Sequence, residues 1–175
     1  MSIHIIIDGY NLIRQSYTFN KLDQQDIQLG REALLDTLAT YKRIKHHKVT
    51  VVFDGTNAPS ISKHRDYIKG IKIKFSCMGE SADAVIKRMA AREREKALVV
   101  SSDRDVINFA TSQGAATISS PEFEGKITMA SYVDSKGVDM EDEEKGGWIP
   151  TTKKKGPSKR LSKKDRRNKI KIRKL

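Results

Sequence analysis

Five short apolar runs mark out the chain, at residues 3–7, 48–53, 71–75, 97–101 and 115–119. They are rich in Val and Ile and mostly continuous. Strands buried on both faces of a parallel sheet read this way. The run IKIKF at 71–75 alternates instead, so it is expected at a half-exposed sheet edge. Helical spacing fills most of the intervals. Residues 31–47 bring Leu34, Leu35, Leu38 and Ala39 to one face, and residues 82–95 do the same for Val85, Ile86, Met89 and Ala90. Ser81 suits the N-cap of the second helix. Residues 104–113 follow Asp103 as a cap and stop before Gly114, while Ser120-Pro121 suits the start of a last helix near 121–132. Residues 55–70 have weak periodicity and read as a loop or a short helix. Alternating strands and helices predict an α/β fold with right-handed crossovers.

Charge adds a second division. The chain carries a net +12, and residues 151–175 account for all of it with nine Lys, four Arg and one Asp. The body before them is neutral. Residues 139–144, DMEDEE, are acidic, and a Gly-Gly-Trp and a Pro/Lys-rich stretch follow. The expected organisation is one domain over 1–134 and an acidic-then-basic tail over 135–175. The tail is largely disordered when free, with 162–175 able to become helical on a partner. A basic tail on a neutral body is expected to meet a polyanion. Its candidate phosphate contacts are Lys153, Lys154, Lys155, Lys159, Arg160, Lys163, Lys164, Arg166, Arg167, Lys169, Lys171, Arg173 and Lys174. No aromatic residue lies in 151–175, so backbone contact rather than base stacking is expected there. No apolar stretch approaches the about 20 residues of a membrane span, and the start lacks the form of a signal peptide. Cys77 is the single cysteine. A cytoplasmic protein, with Cys77 as a small buried residue, is expected.

Candidate chemistry sits where the apolar runs end. Asp8 follows the first, in IIIDGYNLI, with a turn expected at Gly9 and Asn11 just beyond. Asp54 follows the second, Glu80 and Asp83 the third, and Asp103 and Asp105 the fourth. Ligands of an open parallel sheet bind beyond the carboxyl ends of its strands. Carboxylates gathered there repel unless a cation compensates, and an all-oxygen donor set suits a hard divalent ion such as Mg²⁺ or Mn²⁺. Each motif also has a structural reading. Asp8 and Asn11 can serve a turn, Asp103 can be an N-cap, and Asp83 can favour a helix dipole. Asp83 shares a helix face with Ile86 and Ala90, which turns it inward.

Taken together, DGYNLI, VVFDG, GESAD and SSDRD in this order resemble the NYN nucleases, the YacP-like branch of the PIN-like superfamily. The resemblance covers residues 3–133. It implies a three-layer sandwich around a central parallel sheet, strand order 3-2-1-4-5, an acidic pocket for Mg²⁺ or Mn²⁺, and endonucleolytic cleavage of RNA. By motif, Asp8, Asn11, Asp83 and Asp103 carry over as catalytic residues. The metal set is Asp8, Asp83 and Asp103, with Glu80 and Asp105 as further ligands and Asp54 beside them.

The matching mechanism is metal-assisted phosphodiester hydrolysis, with Asn11 and Ser102 orienting water or phosphate. RNA is the expected partner, alone or within a ribosome or other ribonucleoprotein, with no role for a membrane. A noncatalytic RNA- or ribosome-binding protein with the same body is the alternative. A phosphatase with Asp after its first strand is disfavoured, because Tyr10 stands where a second Asp is needed.

Overall fold

The computed structural model describes residues 3–55, 67–77, 79–136 and 162–175. The apolar runs pair into one sheet. β1 (His4–Asp8) lies between β2 (Lys48–Phe53) and β5 (Ala97–Val100), parallel to both, with Ile7 opposite Val51 and Val100. β4 (Ile71–Phe75) continues the sheet beyond β2, and β6 (Ala116–Ile118) continues it beyond β5, both in parallel. The five predicted strands therefore stand in the predicted order. A sixth, β3 (Tyr67–Ile68), adds antiparallel to β4, giving the order β3-β4-β2-β1-β5-β6. Two residues are too few to show a period, so the sequence carried no sign of β3. It corrects the placement of Ile71–Phe75, which lies one strand in from the edge.

The sheet separates two cores. Ile5 and Ile7 enter the larger, shared with Leu34 and Leu38 of α3 (Ile27–Lys45) and Phe123 and Ile127 of α6 (Ser120–Lys136). Ile6 enters the smaller, shared with Val85 and Ile86 of α4 (Ala82–Glu93) and Val106 of α5 (Arg104–Ser112). Full burial of such a side chain stabilises by about 1.5–3 kcal/mol. Continuous apolar strands are thus what a sheet covered on both faces requires.

Two short helices, α1 (Gly9–Gln15) and α2 (Tyr17–Asp23), were not expected. Gly9 is not a turn residue but the first residue of α1. A Cβ there would lie 2.3 Å from the Phe53 ring, so glycine serves a close approach. Asp26 caps α3, which consequently starts earlier than its apolar spacing suggested.

The end of the chain departs most from expectation. α6 runs through the predicted boundary at 134, and residues 163–173 form α7 (Lys163–Arg173), docked on the body. Asn168 Oδ1 accepts from the Thr117 backbone N–H at 3.0 Å, and Lys171 Nζ donates to Ala97 O at 3.3 Å. Tyr41 O–H donates to Leu175 O at 3.2 Å, His47 Nε2 lies 3.1 Å from Lys174 O, and the Leu175 side chain is buried in the larger core. The expected disorder of the tail thus fails for 162–175, while 137–161 lies outside the described residues. Apolar positions are sparse in 162–175, so periodicity did not betray the docking. Among the described residues no helix is long and apolar enough to cross a membrane.

Candidate active site

Chain order reverses direction across the sheet between β1 and β5, and a crevice opens at such a switch point. Asp8 ends β1 there. Its carboxylate caps α1, with Oδ1 accepting from Asn11 N–H at 3.2 Å and Oδ2 from Ser101 Oγ at 3.3 Å. Its residual exposure is 7%. Burial is the main force pushing its pKa up to about 6; the Asn11 N–H opposes this, the Asp83 charge adds to it, the Ser101 hydroxyl opposes it and Asp103 adds to it. Asp83, half-buried in the first turn of α4, is also pushed up, by burial and then by Asp103, with Lys87 opposing. Asp103 caps α5 through one oxygen, which accepts from Asp105 N–H at 2.7 Å and Val106 N–H at 3.2 Å. The cap uses half of that carboxylate and leaves the other half for a ligand.

Asn11 and three serines tie these pieces together. Asn11 Oδ1 accepts from Ser102 N–H at 2.9 Å and from Ser120 Oγ at 2.8 Å. With its oxygen spent, Asn11 has its NH₂ left to offer. Ser101 Oγ also accepts from Asp103 N–H at 3.1 Å, so one hydroxyl bridges both loops. Ser102, expected to orient water or phosphate, has its hydroxyl engaged by Ser120 N–H at 3.2 Å. Ser120 is a fastening for Asn11 rather than a helix cap, and Ser119 accepts from Glu122 N–H instead.

Asp8, Asn11, Asp83 and Asp103 line one cavity of about 580 Å³, and Asp54 shares it. Glu80 and Asp105 do not line it. Glu80 pairs with Arg88 at 2.5 and 3.3 Å, which holds its carboxyl below the usual range, and Asp105 pairs with Lys87. Both were expected as metal ligands, but each is engaged by a cation of α4 instead. Cys77, expected to be buried, is exposed.

The cavity's other wall was missed by the sequence reading. It comprises Tyr10, Arg14, Asp23 and Ile27. Buried Arg31 lies over the rings of Tyr10, Phe53 and Phe75 and its Nε donates to Tyr10 Oη at 2.8 Å, which fixes that wall. Recognising residues 9–15 as helix would have exposed the link between Asn11 and Arg14, which lie one turn apart.

The donor set is all oxygen, and a buried carboxylate with a raised pKa stands beside two others, which fits a hard divalent cation. Among the described residues no three His, Cys, Asp or Glu side chains converge enough to chelate one ion together. The fit is therefore to an ion held by one or two carboxylates that keeps several waters, the usual habit of Mg²⁺.

The tail cations stand elsewhere. Lys153, Lys154, Lys155, Lys159 and Arg160 lie outside the described residues, as does the side chain of Lys164. Lys163, Arg166, Lys169, Arg173 and Lys174 are exposed on or after α7. Arg167 pairs with Glu95, and Lys171 is drawn into docking. The Lys171 contact, Ala97, pairs with His4 at the start of β1, whereas Asp8 closes that strand. At about 3.3 Å per residue, roughly 13 Å separates this contact from the carboxylates.

Comparison with known proteins agrees with the fold. The sequence pattern of the YacP-like NYN domain matches residues 5–174. The crystal structure of Rae1 (YacP) from Bacillus subtilis shares the fold, at a TM-score of 0.65 and 24% identity over 78% of this chain and 79% of that one. A tryptophan-to-leucine variant of Rae1 gives 0.64 and 21% over 77% and 80%. No curated protein matches the chain. The family match reaches from β1 to the end of α7, and on it the chain belongs to the YacP-like NYN domain family, a PIN-like nuclease family.

Proposed function

We propose that this chain is a metal-dependent endoribonuclease that hydrolyses RNA phosphodiester bonds in the cytoplasm. One observation carries the reading. Asp8 is buried and flanked by Asp83 and Asp103, and among the described residues no Lys or Arg pairs with it. A folded protein keeps such a group when a ligand supplies the missing positive charge. PIN-like nucleases generally use divalent metals. Asp8, Asp83 and Asp103 would hold Mg²⁺ or Mn²⁺, directly or through water. The bound ion would polarise a phosphoryl oxygen and lower the pKa of a water. Asp8 and Asp83 keep carboxylate charge at the cavity floor. The Asn11 NH₂ orients a phosphate oxygen or water, and Ser101 holds the Asp8 and Asp103 loops in register.

RNA, free or within a ribosome or other ribonucleoprotein, is the proposed partner. The tail cations on α7 bind phosphates well away from the cleft, and so they select long substrates. A second reading, RNA binding without cleavage, is favoured by one observation: no three carboxylates converge among the described residues.

Labelled single-stranded RNA incubated with Mn²⁺ or Mg²⁺ separates the two. Cleavage that EDTA stops and Asp8→Asn removes supports the nuclease. Binding without cleavage, equal in wild type and Asp8→Asn, supports the alternative. Truncation at 150 is unsuitable for locating the tail's role, because it removes Leu175 from the core.

A further inference from the structure

The proposed chemistry uses the acidic wall of the cavity and leaves the opposite wall without a task. Among the described residues Arg14 is the cation of the cavity lining. Lys87 and Arg88, also near the acids, are engaged by Asp105 and Glu80. Arg14 pairs with no carboxylate among the described residues, and its guanidinium lies 5.8 Å from the centre of the Tyr10 ring. That ring is held from its other partners by Arg31 and Phe53. Arg14 is therefore a steadied cation with its donors unspent, one helix turn from Asn11.

Asp23 ends α2 and lines the same wall. Its Oδ1 is buried and accepts no hydrogen bond. This placement depends on Gly30, where a Cβ would lie 2.8 Å from Asp23 Cβ and 3.1 Å from Oδ1. Oδ1 is packed away against α3, so the other carboxylate oxygen is the one that a ligand N–H can meet. Ile27, half-buried at the start of α3, adds an apolar surface beside it.

We propose that Arg14, Asp23 and Ile27 form a nucleoside subsite that reads the base flanking the scissile phosphate. The proposal rests on the RNA-binding reading above and adds a specificity to it. Arg14 takes the phosphate next to that base, giving two parallel donors to two oxygens. Ile27 covers one face of the base. Asp23 reads its edge, because single-stranded RNA presents Watson–Crick edges to proteins. An ionised carboxylate only accepts. Guanine, with adjacent N1–H and N2–H donors, suits it best. Adenine and cytosine offer an amino group. Uracil turns two carbonyl oxygens toward the carboxylate around a single N–H and is rejected.

The test uses the full-length chain in EDTA, so that no cleavage intervenes. Fluorescein-labelled RNA pentamers differing in one central base are titrated and followed by anisotropy. Guanosine is expected to bind about tenfold more tightly than uridine. Asp23→Asn is expected to erase that preference, since an amide can donate as well as accept. Arg14→Ala is expected to weaken every pentamer about tenfold, with Arg14→Lys in between. Equal affinity for all pentamers in wild type overturns the subsite without any variant, so misfolding of one cannot hide the result. Variants that match wild type in affinity and preference overturn it as well. Metal-dependent cleavage in the wild type tests the nuclease separately. Base preference without cleavage keeps the subsite and rejects the nuclease; cleavage without base preference does the reverse.

Discussion

The two ends of β1 carry buried polar side chains with opposite fates. His4, at the start, has Nε2 2.8 Å from Thr50 Oγ1 and Nδ1 3.1 Å from Glu93 Oε1. Around it the chain closes over: His47 meets Lys174 O, and Lys171 caps Ala97 O. Asp8, at the other end, has a backbone N–H and one hydroxyl, and further carboxylates for neighbours. One end pairs its titratable side chain within the fold, while the other leaves a carboxylate without a cation partner among the described residues. The difference separates a structural end from a functional end within a single strand.

The largest break in that comparison is chemical. Asp8→Asn is expected to reduce metal-dependent RNA cleavage by more than the about 10–100-fold that loss of an outer-shell partner costs a metal site. His4→Gln is expected to leave the cleavage rate per folded molecule near wild type. Rates normalised to active folded protein check both, and equal losses at the two ends would end the distinction.

Next in size is the closed end's stability. Leu175→Ala removes a buried side chain and is expected to cost about 2–3 kcal/mol. At about 2–4 °C per kcal/mol for a chain of this size, the melting temperature falls by roughly 4–12 °C. An unchanged melting curve would show that α7 does not hold the body together.

The two ends also differ in the sign of their pH dependence. The folded Asp8 pKa is raised from 3.8 to about 6, so the folded state binds more protons than the unfolded between those values. Stability from this group therefore falls as pH rises from about 4 to 6. Burial lowers the His4 pKa below 6.5, with Glu93 opposing, so its contribution is fully present above 6.5 and is lost as pH falls below it. Urea unfolding in EDTA should show Asp8→Asn more stable than wild type above pH 6, by on the order of 1–3 kcal/mol, with the gap closing toward pH 4. His4→Gln should flatten the loss below pH 6.5. Divalent ions should bind more weakly below pH 6, where protons compete for Asp8.

The smallest effect belongs to the exposed face of α7. Replacing Arg166 and Lys169 together by Ala is expected to weaken binding of long RNA and to lower its salt slope by about one per cation lost. Pentamers should lose less, because they offer fewer phosphates to the α7 cations. A loss as large in pentamers as in long RNA would end that distinction.

Much of this arrangement was legible in the chain. Continuous runs of Val and Ile marked the parallel strands. Glu80 and Asp105 read as further ligands, since spacing along the chain does not show that Arg88 and Lys87 would reach them first. Arg14 and Asp23 went unseen because α1 and α2 are too short to display a period. α7 read as a free tail because its docking relies on Asn168, Lys171 and Leu175 meeting groups distant in sequence.

By itself the sequence determined the strands, most of the helices between them and the acids at the strand ends, because burial on both sheet faces reads out in local pattern, while the layers and strand order followed from the resemblance to the NYN nucleases. Only the tertiary structure decided which acids keep their charge unpaired, which serine holds Asn11, and where the basic helix rests. Those outcomes turn on competition between partners brought together by folding. Electrostatic and hydrogen-bond strengths depend on distances and burial, which no linear spacing contains.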